Sequence, residues 1–214
     1  MGTSVRRAEA RDRDFVVQVM LTAAKSHLET SVYEVLFDLD PSQLSELYGR
    51  VATSERTHWC HLSKFWIAEV DDERAGAMCG FDPFAEGNDA LGEALLPLLV
   101  ERGKSGADVE AIIERTSTME SCTPKPFPAA WGVENVAVEP GFRGRGIADH
   151  LFDAVLAEGR SSGYERAQIM CLNGNRRAET AWKRAGFDLK ADYTSPAFQE
   201  MFGCPGLKLL VRDL

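Results

Sequence analysis

A glycine-rich turn between a strand pattern and a helix pattern is the feature that most limits the folds open to this chain. It lies within VENVAVEPGFRGRGIADHLF, residues 133–152. Pro140 ends the strand pattern, because proline has no backbone N–H for the sheet ladder. The three glycines that follow (Gly141, Gly144 and Gly146) permit positive φ angles and close approach of another molecule to the backbone. A strand, a tight turn and a helix in this order predict layers of sheet and helix.

The helix after the turn is predicted to begin at Ile147 and to end near Glu158. Its apolar side chains share one face: Ile147, Leu151, Phe152 and Val155. The free N–H groups of its first turn and the positive end of its dipole favour an anion. Arg143 and Arg145 add positive charge beside it. The turn therefore predicts a diphosphate site, with a tight turn that binds nothing as the alternative; the glycines do not follow the G-x-G-x-x-G order of a dinucleotide fingerprint.

The strand before the turn is predicted to have two different faces. Alternation places Val133, Asn135 and Ala137 on one face, and Glu134, Val136 and Val138 on the other.

The rest of the chain alternates helical and extended patterns. RDRDFVVQVMLTAAKSHL and PSQLSELYGRVATS are typical of helices, the second beginning near Pro41. KFWIAEV and AGAMCGF flank the turn DDER and predict a strand hairpin. After the glycine turn and its helix, RAQIMCL predicts a strand, NRRAETAWKRA a helix that ends at Gly186, and FDLKADY and GLKLLVRDL two further strands. This alternation predicts an α/β protein.

Residues 82–130 interrupt this order. NDALGEALLPLLVERG and ADVEAIIERTSTM predict two helices, and CTPKPFPAAW is a proline-rich connection. The segment is too short for a good core of its own. We therefore interpret residues 1–214 as one domain with a helical insertion at about 82–130. The insertion is either a lid over a substrate or the contact of a homodimer.

Charge and composition exclude several classes of function. The net charge of −9, from 33 acidic and 24 basic residues, disfavours nucleic acid and favours an amine-bearing substrate. Five dispersed cysteines without a C-x-x-C pair predict reduced thiols. With no apolar run of about 20 residues and no signal-peptide pattern, we expect a cytoplasmic protein that does not bind membranes. HWCH at residues 58–61 lacks a second cluster at zinc spacing, so we expect no metal.

Two motifs in order identify the family that the chain resembles. Arg143-x-x-Gly146-x-Ala148 follows a strand, and Asn175-x-x-Ala178 opens the helix that runs into Gly186. This pair resembles the GCN5-related N-acetyltransferase (GNAT) superfamily. The resemblance covers the chain apart from the insertion. It implies a mixed α/β fold in three layers, with a twisted, mostly antiparallel central sheet, helices on both faces and a splayed strand pair.

The resemblance implies acetyl-CoA as co-substrate and a primary amine, of a small molecule in preference to a protein, as acceptor. The turn amides would bind the diphosphate, and the preceding strand end would bind the pantetheine. Asn175 would contact the pantetheine, cap its helix, or do both. The implied cofactor residues are Val136, Ala137, Val138, Arg143, Gly144, Arg145, Gly146, Ile147, Ala148, Asp149 and Asn175.

Catalysis is where the chain departs from the family pattern. Glu134 occupies the position of the strand glutamate that accepts the amine proton in several relatives, although an exposed strand carboxylate is the alternative. Trp182 stands where the family often has a tyrosine that protonates the leaving thiolate, and an indole N–H cannot give up its proton. The group that protonates the thiolate is therefore open: it is Tyr193, Cys171 or water, or the thiolate leaves without an acid. A non-catalytic acyl-CoA sensor is therefore the alternative function.

The acceptor pocket is the part that the sequence defines least. Four aromatic residues are candidates to line it, with burial in the core as the alternative: Tyr33, Phe37, Trp59 and Trp66.

Overall fold

The strands of the computed structural model, which describes residues 2–104 and 106–214, form one mixed sheet. They are β1 (Thr3–Arg7), β2 (Phe65–Val70), β3 (Glu73–Phe81), β4 (Ala130–Val138), β5 (Arg166–Leu172), β6 (Asp188–Thr194) and β7 (Gly206–Asp213). The spatial order is β1-β2-β3-β4-β5-β7-β6. Only β4 and β5, among the neighbours in this sheet, are parallel. The expected mixed α/β fold is confirmed.

Helices cover both faces of the sheet. They are α1 (Arg13–Lys25), α2 (Val32–Phe37), α3 (Pro41–Val51), α4 (Asn88–Glu101), α5 (Gly106–Cys122), α6 (Ile147–Ser161), α7 (Arg176–Arg184) and α8 (Pro196–Phe202). The first core holds side chains from α1 to α5 and α8, including Met20, Leu36, Leu47, Leu95, Ile112 and Phe198. The second core holds side chains from α6 and α7, including Leu151, Phe152, Val155 and Trp182. Helices α4 and α5 come from the segment interpreted as an insertion, and both contribute to the first core.

Helix starts follow local capping chemistry where the sequence supplies it. Asp40 accepts hydrogen bonds from the N–H groups of Ser42 and Gln43, and Pro41 occupies the first turn, so α3 begins where its pattern predicts. The short helix α2 was not predicted. Its signal is a capping box in which the Ser31 hydroxyl accepts from the Tyr33 N–H and Glu34 accepts from the Ser31 N–H.

The strands β4 and β5 separate partway along their length. Their parallel pairing begins at Ala130 with Arg166 and ends at Val133 with Ile169. Beyond that point β4 continues against β3 as far as Val138, and β5 continues against β7. The edge of β4 that faces β5 is therefore free of strand pairing after Val133, which produces the expected splay.

A β-bulge lies in β4 at this separation. Ala137 pairs with Ala77 and Glu134 pairs with Cys79, so β4 has one residue more than β3 in this interval. Asn135 has φ of 51°, a left-handed conformation that asparagine tolerates better than most residues. An extra residue of this kind bends the strand and interrupts its alternation.

The bulge makes the predicted strict alternation of β4 wrong. Val133 lies in the second core, and Val136 and Val138 pack against that core. Asn135 instead contacts Cys60 of the first core, its Nδ2 lying 3.8 Å from the sulfur. Val133 and Asn135 therefore lie on opposite faces rather than sharing one, because the extra residue reverses the alternation between them.

Candidate active site

The separation of β4 and β5 opens into a cavity of about 1540 Å³. The "turn half" of this cavity is lined by residues within the ranges 136–149 and 169–184, which include the strand end, the glycine turn and α7. The "apolar half" is lined by residues within the ranges 32–59 and 88–123, which include α2, α4 and α5. Glu134 and Asn135 also line the cavity, and Glu134 interacts with Tyr33 of the apolar half and with the backbone of Met170 of the turn half. One continuous space thus joins the glycine turn to helices α4 and α5.

The turn presents unpaired backbone donors to this space. Gly144 and Gly146 have φ of 77° and 76°, and Gly146 caps α6 without a side-chain hydrogen bond. Within the described chain, the N–H groups of residues 144–148 have no acceptor, whereas Arg143 and Asp149 donate to the carbonyls of Pro140 and Gly146. The free donors lie at the positive end of α6. Such an arrangement favours an anion, and the binding of a diphosphate there stays a prediction.

Three arginines add positive charge to the turn half. Arg143, Arg177 and Arg184 all border the cavity. The Arg143 Nε donates to the Val138 carbonyl at 3.0 Å, and Arg184 pairs with Asp149 at 2.8 Å. Arg145 lies outside the lining, with its guanidinium 5.4 Å from the centroid of the Phe142 ring. Of the residues implied for the cofactor, Arg145 is the exception, and the others border the cavity.

Glu134 lies where β4 leaves β5. It is the first residue of β4 after the last parallel pair, and its half-buried side chain borders the cavity. Burial raises the pKa of this carboxyl to about 8, although the Met170 backbone N–H donates to it and acts in the opposite direction. A carboxyl whose pKa lies close to physiological pH can exchange protons with a substrate.

Two stacked tyrosine rings of the first core border the same cavity as Glu134. The rings of Tyr33 and Tyr48 stack with centroids 4.7 Å apart, and both residues border the cavity. Burial raises the pKa of each phenol well above its usual value, and the Glu134 charge adds to the effect on Tyr33. Both phenols therefore remain protonated at neutral pH.

Trp182 packs in the second core and still reaches the cavity. It is 7% exposed, and its ring meets Phe152 edge-on with centroids 5.5 Å apart. Ala178, Ala181 and Ala185 pack against the same core. The indole Nε1 is buried without an acceptor in the described chain. Trp182 thus packs in the core and is also one of the residues that line the turn half.

The two candidate acids differ in position. Tyr193 is 41% exposed on β6 and does not border the cavity. Cys171 borders the cavity, and burial raises the pKa of its thiol to about 12. A thiol with so high a pKa is a poor proton donor to another thiolate, whose usual pKa is about 8.5.

Asn175 caps α7 and ties it to α1. Its Oδ1 accepts from the Ala178 N–H at 3.0 Å, and its Nδ2 donates to the Ser26 hydroxyl at 2.6 Å. Both Asn175 and Ser26 border the cavity. The capping role is therefore present in the structure, and the contact with pantetheine stays a prediction.

Three of the four aromatic candidates border the apolar half: Tyr33, Phe37 and Trp59. Trp66 does not. Its indole donates to Glu158 at 2.8 Å, and the Arg7 guanidinium lies 4.3 Å from its ring centroid. Trp66 packs against the second core, away from this half of the cavity.

The HWCH segment is held by its own hydrogen bonds. His58 is fully buried, and its Nδ1 accepts from the Cys60 N–H at 3.1 Å. Burial lowers the pKa of His58 to about 4, so the ring is neutral at physiological pH. Among the described residues, no three His, Cys, Asp or Glu side chains are grouped closely enough to hold a metal ion. None of the described helices is long and apolar enough to span a membrane.

Comparisons with known proteins agree with this geometry. The family model for the GNAT acetyltransferases matches residues 32–187. The chain belongs to this family. The match spans the glycine turn, Glu134, α7, and helices α4 and α5. A search of curated proteins returned no match.

Solved structures share the fold at low sequence identity. A crystal structure of an acetyltransferase is 18% identical, with 98% of each chain covered and a TM-score of 0.68. An N-acetyltransferase from Staphylococcus aureus Mu50 is 16% identical, with 98% of this chain and 100% of that chain covered and a TM-score of 0.69. A Drosophila melanogaster polyamine N-acetyltransferase, which forms N-acetylagmatine, is 14% identical, with 100% of both covered and a TM-score of 0.57.

Proposed function

We propose that this protein is an N-acetyltransferase that moves an acetyl group from acetyl-CoA directly to a primary amine of a small molecule. One observation carries the proposal: free backbone donors at the glycine turn and a carboxyl with a raised pKa border the same cavity. The first suits a diphosphate, and the second suits proton transfer from an amine. The expectation of a small amine is consistent with the relative that forms N-acetylagmatine.

The turn half holds acetyl-CoA in this proposal. The free N–H groups of residues 144–148 bind the diphosphate, with Arg143 beside them. The edge of β4 from Val136 to Val138 has no partner strand on the β5 side, so it can pair with the amide groups of pantetheine. The thioester then lies near the separation of the strands, beside Glu134.

Glu134 accepts the proton of the acceptor amine. The neutral amine nitrogen attacks the thioester carbonyl carbon, a new C–N bond forms, and the C–S bond breaks. The nitrogen gives its proton to the Glu134 carboxylate, directly or through water, and the electron pair of the broken bond leaves on the CoA sulfur. Because the pKa of Glu134 is about 8, the fraction of enzyme that carries the base form rises with pH through that value.

The leaving thiolate meets no evident proton donor among the candidates. The Trp182 N–H can donate a hydrogen bond to the sulfur but not a proton. Holding both reactants in one cavity supplies much of the rate of a direct transfer. We therefore propose that the Trp182 N–H stabilises the leaving thiolate by a hydrogen bond and that water protonates it.

The proposal is tested by mixing the protein with acetyl-CoA and a panel of primary amines, and by following free thiol and acetylated product together. Direct transfer predicts release of one thiol per acetylated amine and intersecting initial-rate lines when both substrates are varied. Parallel lines would instead indicate an acetylated enzyme intermediate and would contradict direct transfer.

The second candidate, a non-catalytic acyl-CoA sensor, is favoured by Trp182 in place of the family tyrosine. It predicts that acetyl-CoA binds and that no amine in a broad panel accelerates thiol release. Turnover with any primary amine would exclude it.

A further inference from the structure

We infer that the acceptor is a primary amine with an apolar body, bound in the apolar half of the cavity with its amino group beside Glu134. This inference rests on the proposed function and narrows it. It separates this protein from an enzyme that acts on polyamines or on agmatine, whose far ends are charged.

Hydrocarbon side chains form much of the buried floor of the apolar half, beside the rings of Tyr33 and Tyr48. Side chains from α2, α4 and α5 line it and are at most 7% exposed: Leu36, Phe37, Leu91, Leu95, Leu99 and Ile112. Nearer the rim, Leu96 and Ile113 are 52% and 61% exposed. Large apolar side chains exposed at a cavity mark a surface that binds a partner of the same character.

Charges divide between the two halves. Among the described residues that line the cavity, the basic side chains are Arg143, Arg177 and Arg184, and all belong to the turn half. The turn half also has one acidic side chain, Asp149, which pairs with Arg184, whereas the described charged side chains that line the apolar half are all acidic and exposed: Asp89, Glu93 and Glu120. Glu93 pairs with Arg56 at 3.1 Å. A phosphate-bearing ligand therefore fits the turn half, and a cationic amine is attracted toward the other.

A second charge at the far end of the acceptor does not fit this arrangement. The acidic groups lie at the exposed surface, whereas the buried floor has no charged side chain among its described residues. A guanidinium or ammonium pushed against that floor would lose its hydration without gaining a carboxylate partner. An aromatic or aliphatic body would gain by the same burial.

The indole of Trp59 is a further part of the wall of the apolar half. Its ring lies 6.2 Å from the Phe81 ring and borders the apolar half, while its Nε1 is buried without an acceptor in the described chain. Buried donors are rarely left unpaired in a finished core. The Trp59 ring therefore adds aromatic surface to the apolar half, and its N–H has no partner among the described residues.

The first test compares four amines at saturating acetyl-CoA: 2-phenylethylamine, n-hexylamine, agmatine and spermidine. We expect kcat/KM for the two apolar amines to exceed that for the two cationic ones by at least about tenfold, since a mismatched pocket typically costs that much. A preference for agmatine or spermidine would overturn the inference and leave the proposed acetyl transfer intact.

The second test places a charge at the rim. Leu96→Lys and Ile113→Lys should each raise KM for 2-phenylethylamine about tenfold, with kcat and the Kd of acetyl-CoA unchanged. Both residues are exposed, so these variants are expected to fold. Val100→Lys is the matched control, because Val100 lies on α4 and is 57% exposed but does not line the cavity. Equal KM values in all three variants and in the parent protein would contradict the inference.

Binding distinguishes failure of this inference from failure of the proposed function. Calorimetry with the CoA-bound protein should show binding of 2-phenylethylamine that Leu96→Lys weakens, whether or not turnover occurs. Binding without turnover would support the pocket and contradict the acetyl transfer. Absence of binding would overturn the inference, as would a Leu96→Lys variant that changed only the preferred acyl chain length of the acyl-CoA.

Discussion

The two halves of the cavity are built by different means. The turn half comes mainly from two short stretches, and it offers backbone donors whose positions are determined by glycines and a helix end. The apolar half is assembled from side chains of α2, α4 and α5, which are spread over residues 32–123. A site made by the backbone needs a particular local conformation, so its sequence is restricted. A site made by packed side chains needs only hydrophobic residues of suitable size, and many sequences meet that need.

Because the two halves are built differently, substitutions in each half should affect a different property of the enzyme. Changes in the turn half should alter the affinity for acetyl-CoA, and changes in the apolar half should alter the choice of amine. Replacing Glu134, which lies between the halves, should lower the rate of acetyl transfer. It should leave the affinity for acetyl-CoA and the choice of amine unchanged.

Glu134→Gln should produce the largest effect. We expect kcat to fall by about 10²–10⁴-fold, the usual contribution of a general base. The parent enzyme should gain activity as pH rises through about 8, because its base is then ionised. The variant should lose that dependence, measured as a pH profile of kcat with a fixed amine.

Glu139→Gln is the control for this variant. Glu139 follows β4, and its Oε1 accepts from Gln18 on the surface. A profile for Glu134→Gln that matched the parent enzyme would remove Glu134 from the mechanism.

Gly146→Leu should weaken acetyl-CoA binding by about 100-fold, equivalent to ~2.7 kcal/mol, because a side chain there would occupy the approach to the free N–H groups. The measurement is the Kd of acetyl-CoA by calorimetry.

Gly163→Leu controls for backbone strain in that experiment. Gly163 has φ of 86° and open space around its Cα, but lies outside the cavity. Both variants should lose about 1–2 kcal/mol of folding stability from the left-handed conformation, and only Gly146→Leu should lose affinity. An unchanged Kd in folded Gly146→Leu would contradict the diphosphate assignment.

Arg143→Ala should weaken acetyl-CoA about tenfold, in line with the loss of one charged hydrogen bond. Arg145→Ala should have a smaller effect, because Arg145 lies over Phe142 outside the cavity lining. Comparing the two Kd values, and their dependence on salt, checks the assignment. A larger loss for Arg145→Ala would show that the Arg145 side chain turns toward the phosphates.

Asn175→Ala should have the smallest effect, a loss of about 1 kcal/mol in the free energy of unfolding. Asp40→Ala, which removes the cap of α3, is expected to cost a similar amount. The two variants should differ in acetyl-CoA affinity, since only Asn175 borders the cavity. Denaturant unfolding and calorimetry measure the two effects, and equal Kd values would limit Asn175 to its capping role.

Much of the fold could be predicted because its signals are local. The strand before the turn, α6 from Ile147, the hairpin around DDER and the start of α3 at Pro41 all depend on nearby residues. β1 and α8 were not predicted, because β1 is short and half-buried, and α8 has only seven residues. Elements of that size depend on the sheet or core that they join.

The site was predictable to the extent that it follows from the backbone. The bulge at Asn135 was missed because it depends on the pairing of β4 with β3, and strict alternation gave the wrong faces for Val133 and Asn135. The candidate base Glu134 does border the cavity. Trp59 and Trp66 look equivalent in the sequence, and only the fold places one at the cavity and the other beside Glu158.

The central claim is that the glycine turn binds acetyl-CoA, and thermal unfolding with added ligand tests it most directly. At 100 times its Kd, acetyl-CoA should add about 2.7 kcal/mol of stability. For a chain of this size, that energy corresponds to a rise of several degrees in Tm. We predict this rise with acetyl-CoA, a smaller one or none with NADH or ATP, and its loss in Gly146→Leu. No rise at millimolar acetyl-CoA, or an equal rise with NADH or ATP, would contradict the account.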